Sequence, residues 1–294
     1  MNLDHLPACE PMRGAETLEQ PTIEMPAGAV DAHIHVFGPL DRFPPQPKPF
    51  YQRPDGTLEQ YRALMKALGL RYFAIVQPSF YDSDNRCLID TLKEAGDIAR
   101  GIVMVDPDVD SAILKAYTDA GVCGVRLDLF KRAQLPLQDI QDYITAMAAR
   151  VAPYGWHLQF YAPGYIVRDL IGYFATLEID YVIDHMGYML EEDGLTEADF
   201  ARLLALMTEG YGWLKLSGPY RLAKKRSMEA VDELAKAIVA AAPDRAIWGS
   251  DWPHIPWGQL DTGNLLNRLA VWAPDAADRQ KILSDNPRKL LGFA

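Results

Sequence analysis

The sequence predicts an α/β fold, a single (β/α)8 barrel of the TIM type spanning residues 28–294. Three observations carry that expectation. Short, nearly continuous apolar segments read as strands buried on both faces, as in a parallel sheet. Single helical segments separate most of them, and parallel strands need such crossovers. Eight such strands fit into 294 residues, and the first is followed by His35-Val36-Phe37-Gly38-Pro39. A doubly wound open sheet would carry a glycine-rich phosphate loop there.

Residues 1–27 read as an irregular N-terminal arm, because Pro7, Pro11, Pro21 and Pro26 interrupt any regular element. The first strand is Val30 to Phe37, in which Val30, Ala32, Ile34 and Val36 alternate with Asp31, His33 and His35. Period two puts His33 and His35 on one side, about 7 Å apart along the strand. Two such imidazoles can hold a metal jointly or donate hydrogen bonds to one substrate oxygen. The proline-rich loop 38–56 has the length of a lid or binding loop. Thr57 and Gln60 then form a capping box for a helix whose apolar stripe is Leu58, Tyr61, Leu64, Met65 and Leu68. Further strands are expected at 72–77, 101–105, 123–129, 156–161, 181–184, 213–216 and 246–250. Helices are expected at 87–99, 111–120, 137–150, 167–177, from a Thr196/Asp199 cap to about 207, and at 228–241, 262–272 and 278–283.

The formal net charge of -11 argues against nucleic acid or an anionic membrane surface as a partner. An anionic small substrate would have to be met by locally concentrated arginines. Cys9, Cys87 and Cys123 are odd in number and widely spaced, which suggests a reducing compartment rather than a disulfide framework. The first ten residues hold no apolar run, and nothing later approaches eighteen consecutive apolar residues. A cytoplasmic monomer or small homo-oligomer is expected.

In a barrel the chemistry sits at the C-terminal ends of the strands. Those ends offer His33 and His35 on strand one, Gln77 and Ser79 on strand two, and Arg126 with Lys131 and Arg132 on strand four. Strand five offers Gln159 and Tyr161, strand six Asp184-His185-Met186-Gly187, and strand seven Ser217 to Arg221. Strand eight runs Trp248-Gly249-Ser250-Asp251-Trp252-Pro253-His254. Convergence of His33, His35, His185 and Asp251 at one mouth is the strongest signal. His157 precedes its strand's end and reads as structural, and His254 as a supporting group.

The segments Asp31-Ala32-His33-Ile34-His35, Ile183-Asp184-His185-Met186-Gly187 and Trp248 to His254 resemble the amidohydrolase superfamily. Within it the chain is similar to the 2-pyrone-4,6-dicarboxylate lactonase group, related to 4-sulfomuconolactone hydrolases and D-galactarolactone isomerases. Tyr51, Ser79, Arg126, Arg132, Tyr161 and Arg221 agree with that group, and the likeness runs from about Gly28 to the end. It implies a lactonase, acting on a carboxylic ester bond in the catabolism of aromatic compounds. Asp251 would be the general base toward water, and His33, His35 and His185 would donate to the lactone carbonyl oxygen. Arg126, Arg132 and Arg221, with Tyr51, Ser79 and Tyr161, would bind the acidic groups of the substrate. Those lactonases carry an arginine shortly after the strand-six His-Met-Gly, where this chain has Tyr188. A sulfo- or carboxymuconolactone therefore fits as well as the pyrone dicarboxylate.

The same four residues, His33, His35, His185 and Asp251, could ligate a single zinc. A second metal would need a bridging group on strand four and a histidine on strand five, where Arg126 and Tyr161 stand. The resemblance implies a metal-independent site without cofactor. The alternatives are isomerisation of a sugar-acid lactone and metal-dependent decarboxylation.

Overall fold

The structure, a computed structural model, describes residues 5–190, 195–224 and 226–294. Its eight strands are β1 (Val30–Ile34), β2 (Tyr72–Val76), β3 (Ala99–Val103), β4 (Val122–Asp128), β5 (His157–Tyr161), β6 (Tyr181–Ile183), β7 (Gly212–Leu216) and β8 (Ala246–Trp248). They pair in parallel and in sequence order. Helices between successive strands cover the outside, as the (β/α)8 expectation requires. Both expected capping boxes are formed, Thr57 with Gln60 and Thr196 with Asp199. Among the described residues, no helix is long and apolar enough to cross a membrane.

The barrel closes just past the end of β8. Ile34 forms a parallel bridge with Trp252. The His35 N–H donates to the Trp252 carbonyl at 2.8 Å, and the Asp251 N–H to the His33 carbonyl at 2.9 Å. Inside, Val30, Ala32, Ala74, Val76, Ile102, Val182 and Ile247 form an apolar cluster that Leu291 and Phe293 join. Phe293 stacks on Tyr72 at the start of β2, centroids 4.6 Å apart, and so plugs the N-terminal end of the barrel. The opposite end is left for polar groups.

Strand β1 departs from strict alternation. Its register against β2 shifts between Asp31 and Ile34, so three steps on β1 face two on β2. This bulge re-aims the chain. Val30 and Ala32 lie in the inner cluster, whereas Ile34 packs in the outer one. Asp31 faces the helix Leu58–Leu68 and is parted from His33 and His35, although the sequence pattern puts all three on one side.

Other boundaries move for local reasons. The helix expected at 87–99 stops at Ala95, because Gly96 turns at φ +67, and a 3-10 turn leads into β3 two residues early. The strand expected at 246–250 ends at Trp248, since the next residues turn toward β1. The helices Pro219–Leu222 and Asn286–Leu291 are too short to show a 3.6-residue period. The arm, described from His5, contains one 3-10 turn at Ala15–Thr17. It is tied down by Glu10 N–H to the Pro256 carbonyl and Arg13 N–H to the Gly258 carbonyl. Residues 1–4 of the arm lie outside the described residues.

Asp31 staples the closure. Its Oδ1 accepts from the backbone N–H groups of Ser250 at 2.8 Å and His33 at 3.1 Å, and its Oδ2 accepts from the Tyr61 hydroxyl at 3.0 Å. The group is fully buried, and that burial pushes its carboxyl up to about 6 against the pull of these donors. Asp31→Ala would strand all three donors and lower stability by about 2–4 kcal/mol, with Tyr61→Phe costing about half as much. Denaturant midpoints measure both. An unchanged midpoint for Asp31→Ala would show that the closure does not depend on this carboxylate.

Candidate active site

Four buried groups meet at the C-terminal mouth. Asp251 Oδ1 lies 3.6 Å from His35 Nε2, 3.8 Å from His33 Nε2 and 4.0 Å from His185 Nε2. The His33 ring centroid is 5.0 Å from that of His35 and 4.9 Å from that of His185. Asp251 Oδ1 and His33 Nε2 have no hydrogen-bond partner. Buried polar atoms are costly to leave unpaired, so this pair faces the space where a reactant would sit.

The other carboxylate oxygen is saturated. Asp251 Oδ2 accepts from the Tyr220 hydroxyl at 2.5 Å and from Arg221 Nε at 2.6 Å. Burial alone would push this carboxyl up. The Arg221 guanidinium and the neighbouring histidines outweigh it and hold Asp251 well below the usual carboxylate range. The result is an ionised carboxylate with one oxygen tied and one free.

Burial pushes all three imidazoles down, His185 to about 4 and His33 well below its ordinary range. Each is neutral at pH 7 and carries one N–H. His35 Nδ1 lies 2.8 Å from the Val76 carbonyl, which only accepts. Its proton therefore sits on Nδ1, and its Nε2 offers a lone pair to the cavity. That differs from the expectation that His35 donates to the substrate. His185 Nδ1 lies 2.8 Å from Ser217 Oγ, a hydroxyl that can donate to it and leave an Nε2–H for the cavity.

The backbone here is strained. Asp251, His254, His185, Met186 and Tyr188 adopt positive φ, from +49 to +63, although none is glycine. Such conformations cluster where function over-determines the chain. His254, buried beside the Tyr220 ring, donates to or accepts from Thr262 Oγ1 at 2.8 Å and so supports Tyr220.

Beyond these groups opens a cleft of about 560 Å³, with an adjoining chamber of about 250 Å³. His35, Tyr51, Ser79, Arg126, Tyr161 and Arg221, all named from the sequence, line the cleft. Arg126 donates to the Gln77 carbonyl at 2.8 Å and lies 4.4 Å over the Tyr161 ring, with its buried Nε unpartnered. Ser79 donates to Asp128 Oδ2 at 2.7 Å, and Tyr51 stacks on Phe80. Arg132 is not among the lining residues. It turns to the Asp128 carbonyl and lies 4.0 Å over the Tyr143 ring, on the helix Leu137–Val151. Lys131, paired with Asp82 at 3.0 Å, lines the cleft instead, as does Lys224. Tyr188 is buried against His185, Phe130 and Tyr161, with centroids 5.8, 5.4 and 6.1 Å away. Phe130, Tyr161 and Tyr188 thus form an aromatic wall on that side.

Sequence reasoning passed over Lys215, and it read Asp184, Ser217 and Tyr220 at strand ends without giving them a role. Lys215 carried a signal, a charge within the apolar run Trp213-Leu214-Lys215-Leu216. Its Nζ is buried 3.0 Å from Asp184 Oδ1 and 3.3 Å from His33 Nδ1. Asp184 Oδ2 also accepts from Gln159 Nε2 at 3.0 Å. His157 lies deeper in the barrel, against Gly124, where any Cβ would come within 2.5 Å of the His157 ring. It does not reach the mouth, in keeping with its structural reading.

Donor spacing allows a metal here, in the triads His33–His35–Asp251 and His33–Asp184–His185. The charges do not suit one. The Lys215 ammonium contacts His33, the Arg221 guanidinium contacts Asp251, and Arg126 lines the same mouth. Cations this close repel a divalent ion in a low-dielectric site. A single zinc on His33, His35, His185 and Asp251 is a poor fit to these neighbours.

The amidohydrolase family model matches residues 30–293. The 2-pyrone-4,6-dicarboxylate hydrolase of Comamonas testosteroni is 36% identical over 285 residues, covering 92% of each chain. The 4-sulfomuconolactone hydrolase of Hydrogenophaga intermedia is 34% identical, covering 91% of this chain and 90% of that one. An apo crystal structure from Agrobacterium tumefaciens superposes with a TM-score of 0.82 at 27% identity, covering 93% of this chain and 99% of that one. With a histidine pair at the end of β1, a histidine after β6 and an aspartate after β8 in one closed (β/α)8 barrel, the chain belongs to the amidohydrolase family.

Proposed function

We propose that this protein hydrolyses a small anionic lactone of aromatic-compound breakdown, a 2-pyrone-4,6-dicarboxylate or a sulfo- or carboxymuconolactone, without a metal. The observation that carries the reading is the free Asp251 Oδ1, within 4.0 Å of three imidazole Nε2 atoms, beside a cleft that His35, Arg126, Lys131, Arg221 and Lys224 line together with Asp128. Relatives named for two such lactone hydrolases support it.

The chemistry follows from which atoms are free. Asp251 Oδ1 takes a proton from water as the water oxygen bonds to the lactone carbonyl carbon. The His35 Nε2 lone pair, 3.6 Å from that oxygen, holds the second water hydrogen. The carbonyl electron pair moves onto its oxygen, where His33 and His185 can place Nε2–H donors. The ring C–O bond then breaks, its oxygen takes the proton from Asp251, and the acyclic acid is released. The Arg126 guanidinium, held flat on Tyr161, presents a fork suited to a carboxylate or sulfonate.

The first test is acid release from a panel of anionic lactones, aromatic-derived against sugar-acid, with and without chelator. Chelator-resistant acid release from the aromatic-derived set is expected. Turnover without acid release would point to isomerisation, and loss of activity on chelation would make the histidines metal ligands. Asp251→Asn should cut kcat about 100-fold or more, since it removes the base. Near-normal turnover in that variant would sink the assignment. Arg126→Met should raise KM by about 10- to 100-fold with a smaller change in kcat, the loss of a charged hydrogen-bond partner. Arg132→Ala, by contrast, should leave KM within about threefold because it meets Tyr143 rather than the cleft.

A further inference from the structure

We propose that Lys215 is a positioning residue that fixes the tautomer of His33, so that an Nε2–H faces the reacting carbonyl. The inference rests on the lactone-hydrolysis reading of this site. It assigns a task to a buried cation that no step of that reaction uses directly.

Strand β7 places the lysine. Trp213 joins the inner cluster and Leu214 and Leu216 the outer one, so period two turns Lys215 inward. The side chain is 1% exposed. A buried ammonium needs a counter-charge, and Asp184 supplies it at 3.0 Å. An ordinary buried ion pair would stop there. This one has a second contact, 3.3 Å from Lys215 Nζ to His33 Nδ1, with geometry suited to a hydrogen bond.

An ammonium has donors and no acceptor. His33 Nδ1 must therefore accept, and the proton of the neutral ring sits on Nε2. The competing arrangement, Nδ1–H donating to Asp184 Oδ1, would span a longer 3.4 Å. That oxygen is already paired with the Lys215 ammonium at 3.0 Å. The freed Nε2–H of His33 is itself unpartnered and points toward the mouth, 3.8 Å from Asp251 Oδ1.

The consequence is a division of labour on one strand end. His35, with the Val76 carbonyl at its Nδ1, shows the cavity a lone pair. His33, with an ammonium at its Nδ1, shows the cavity a proton. Two histidines two residues apart thus act as opposite reagents, an acceptor for water and a donor for the carbonyl. The sequence pattern alone treats them as equivalent.

Long-range proton–nitrogen NMR on full-length protein with 15N-labelled histidine reads the tautomers directly, with His33→Gln assigning the signal. His33 should be the Nε2–H form and His35 the Nδ1–H form. Lys215→Met leaves only the Asp184 carboxylate near Nδ1, so His33 should switch to Nδ1–H. On a lactone the enzyme turns over, kcat should fall about 100-fold, as for loss of one oxyanion donor, with KM within about threefold. Lys215→Gln, which keeps an N–H donor, should restore part of kcat. If Lys215→Met does not fold, the double variant Lys215→Met/Asp184→Met removes both charges and should still lose kcat. An Nδ1–H His33 in the unmodified protein, or a folded Lys215→Met variant with an unchanged tautomer or kcat, would overturn the proposal. Should no lactone be hydrolysed, the functional reading fails, while the NMR comparison still decides the role of Lys215.

Discussion

The seam between β1 and β8 is the constraint on which the site depends. Three of the four groups at the mouth, His33, His35 and Asp251, lie on the two segments that this seam joins. The bulge in β1 brings the chain into position, and the Asp31 carboxylate binds the bulge to the backbone of Ser250 and to the helix that carries Tyr61. One buried acid thereby holds the strand that supplies two histidines against the turn that supplies the base. A catalytic geometry of this kind tolerates errors well below an ångström. Placing it on a strand-to-strand seam, rather than on mobile loops, is how the fold meets that tolerance.

Charge in the upper barrel is arranged so that what is paired is structural and what is unpaired is a reagent. Lys215 neutralises Asp184, and Arg221 neutralises Asp251 through one oxygen only. The imidazoles, kept neutral by burial, add no net charge. Burying charges in an apolar barrel is expensive unless each finds a partner and its remaining hydrogen bonds. Here the partners use up the inner ends of the network and leave the outer ends, Asp251 Oδ1 and the Nε2 atoms, aimed at the cleft. The same pairing works against a divalent metal, because the cations already stand where its charge would go.

Much of this was legible in the sequence. The alternation of apolar strands with helices gave the barrel, and the rule that chemistry sits at strand ends gathered His33, His35, His185 and Asp251 without any coordinates. The failures have physical causes. Strict period two cannot show a bulge, so Asp31 was grouped with the two histidines although it faces a helix. Strand-end reasoning sees the mouth and overlooks the interior, so Lys215 was passed over and Asp184, named at its strand end, was given no partner. Position along the chain does not reveal which way a loop side chain turns, so Arg132 was placed in the cleft that Lys131 lines. Tautomers follow from the partner of the far ring nitrogen, and those partners, Val76 and Lys215, are distant in sequence.

An acidic chain of net charge -11 that binds an anion needs its attraction to be local. At physiological salt, exposed charges beyond about 8 Å are screened, so the distant acidic surface weakens encounter more than it weakens the bound state. Within the cleft the balance reverses, because four cations, Arg126, Arg221, Lys131 and Lys224, line it against one carboxylate, Asp128. The walls between those cations are aromatic: Tyr161, Phe130 and Trp257, with Tyr188 beside them. The Tyr188 ring presents a flat apolar face there rather than a fixed charge. A flat unsaturated lactone ring, as in the proposed substrates, suits that surface better than a compact polyhydroxylated one, whose hydroxyls would be stripped of water against aromatic carbon.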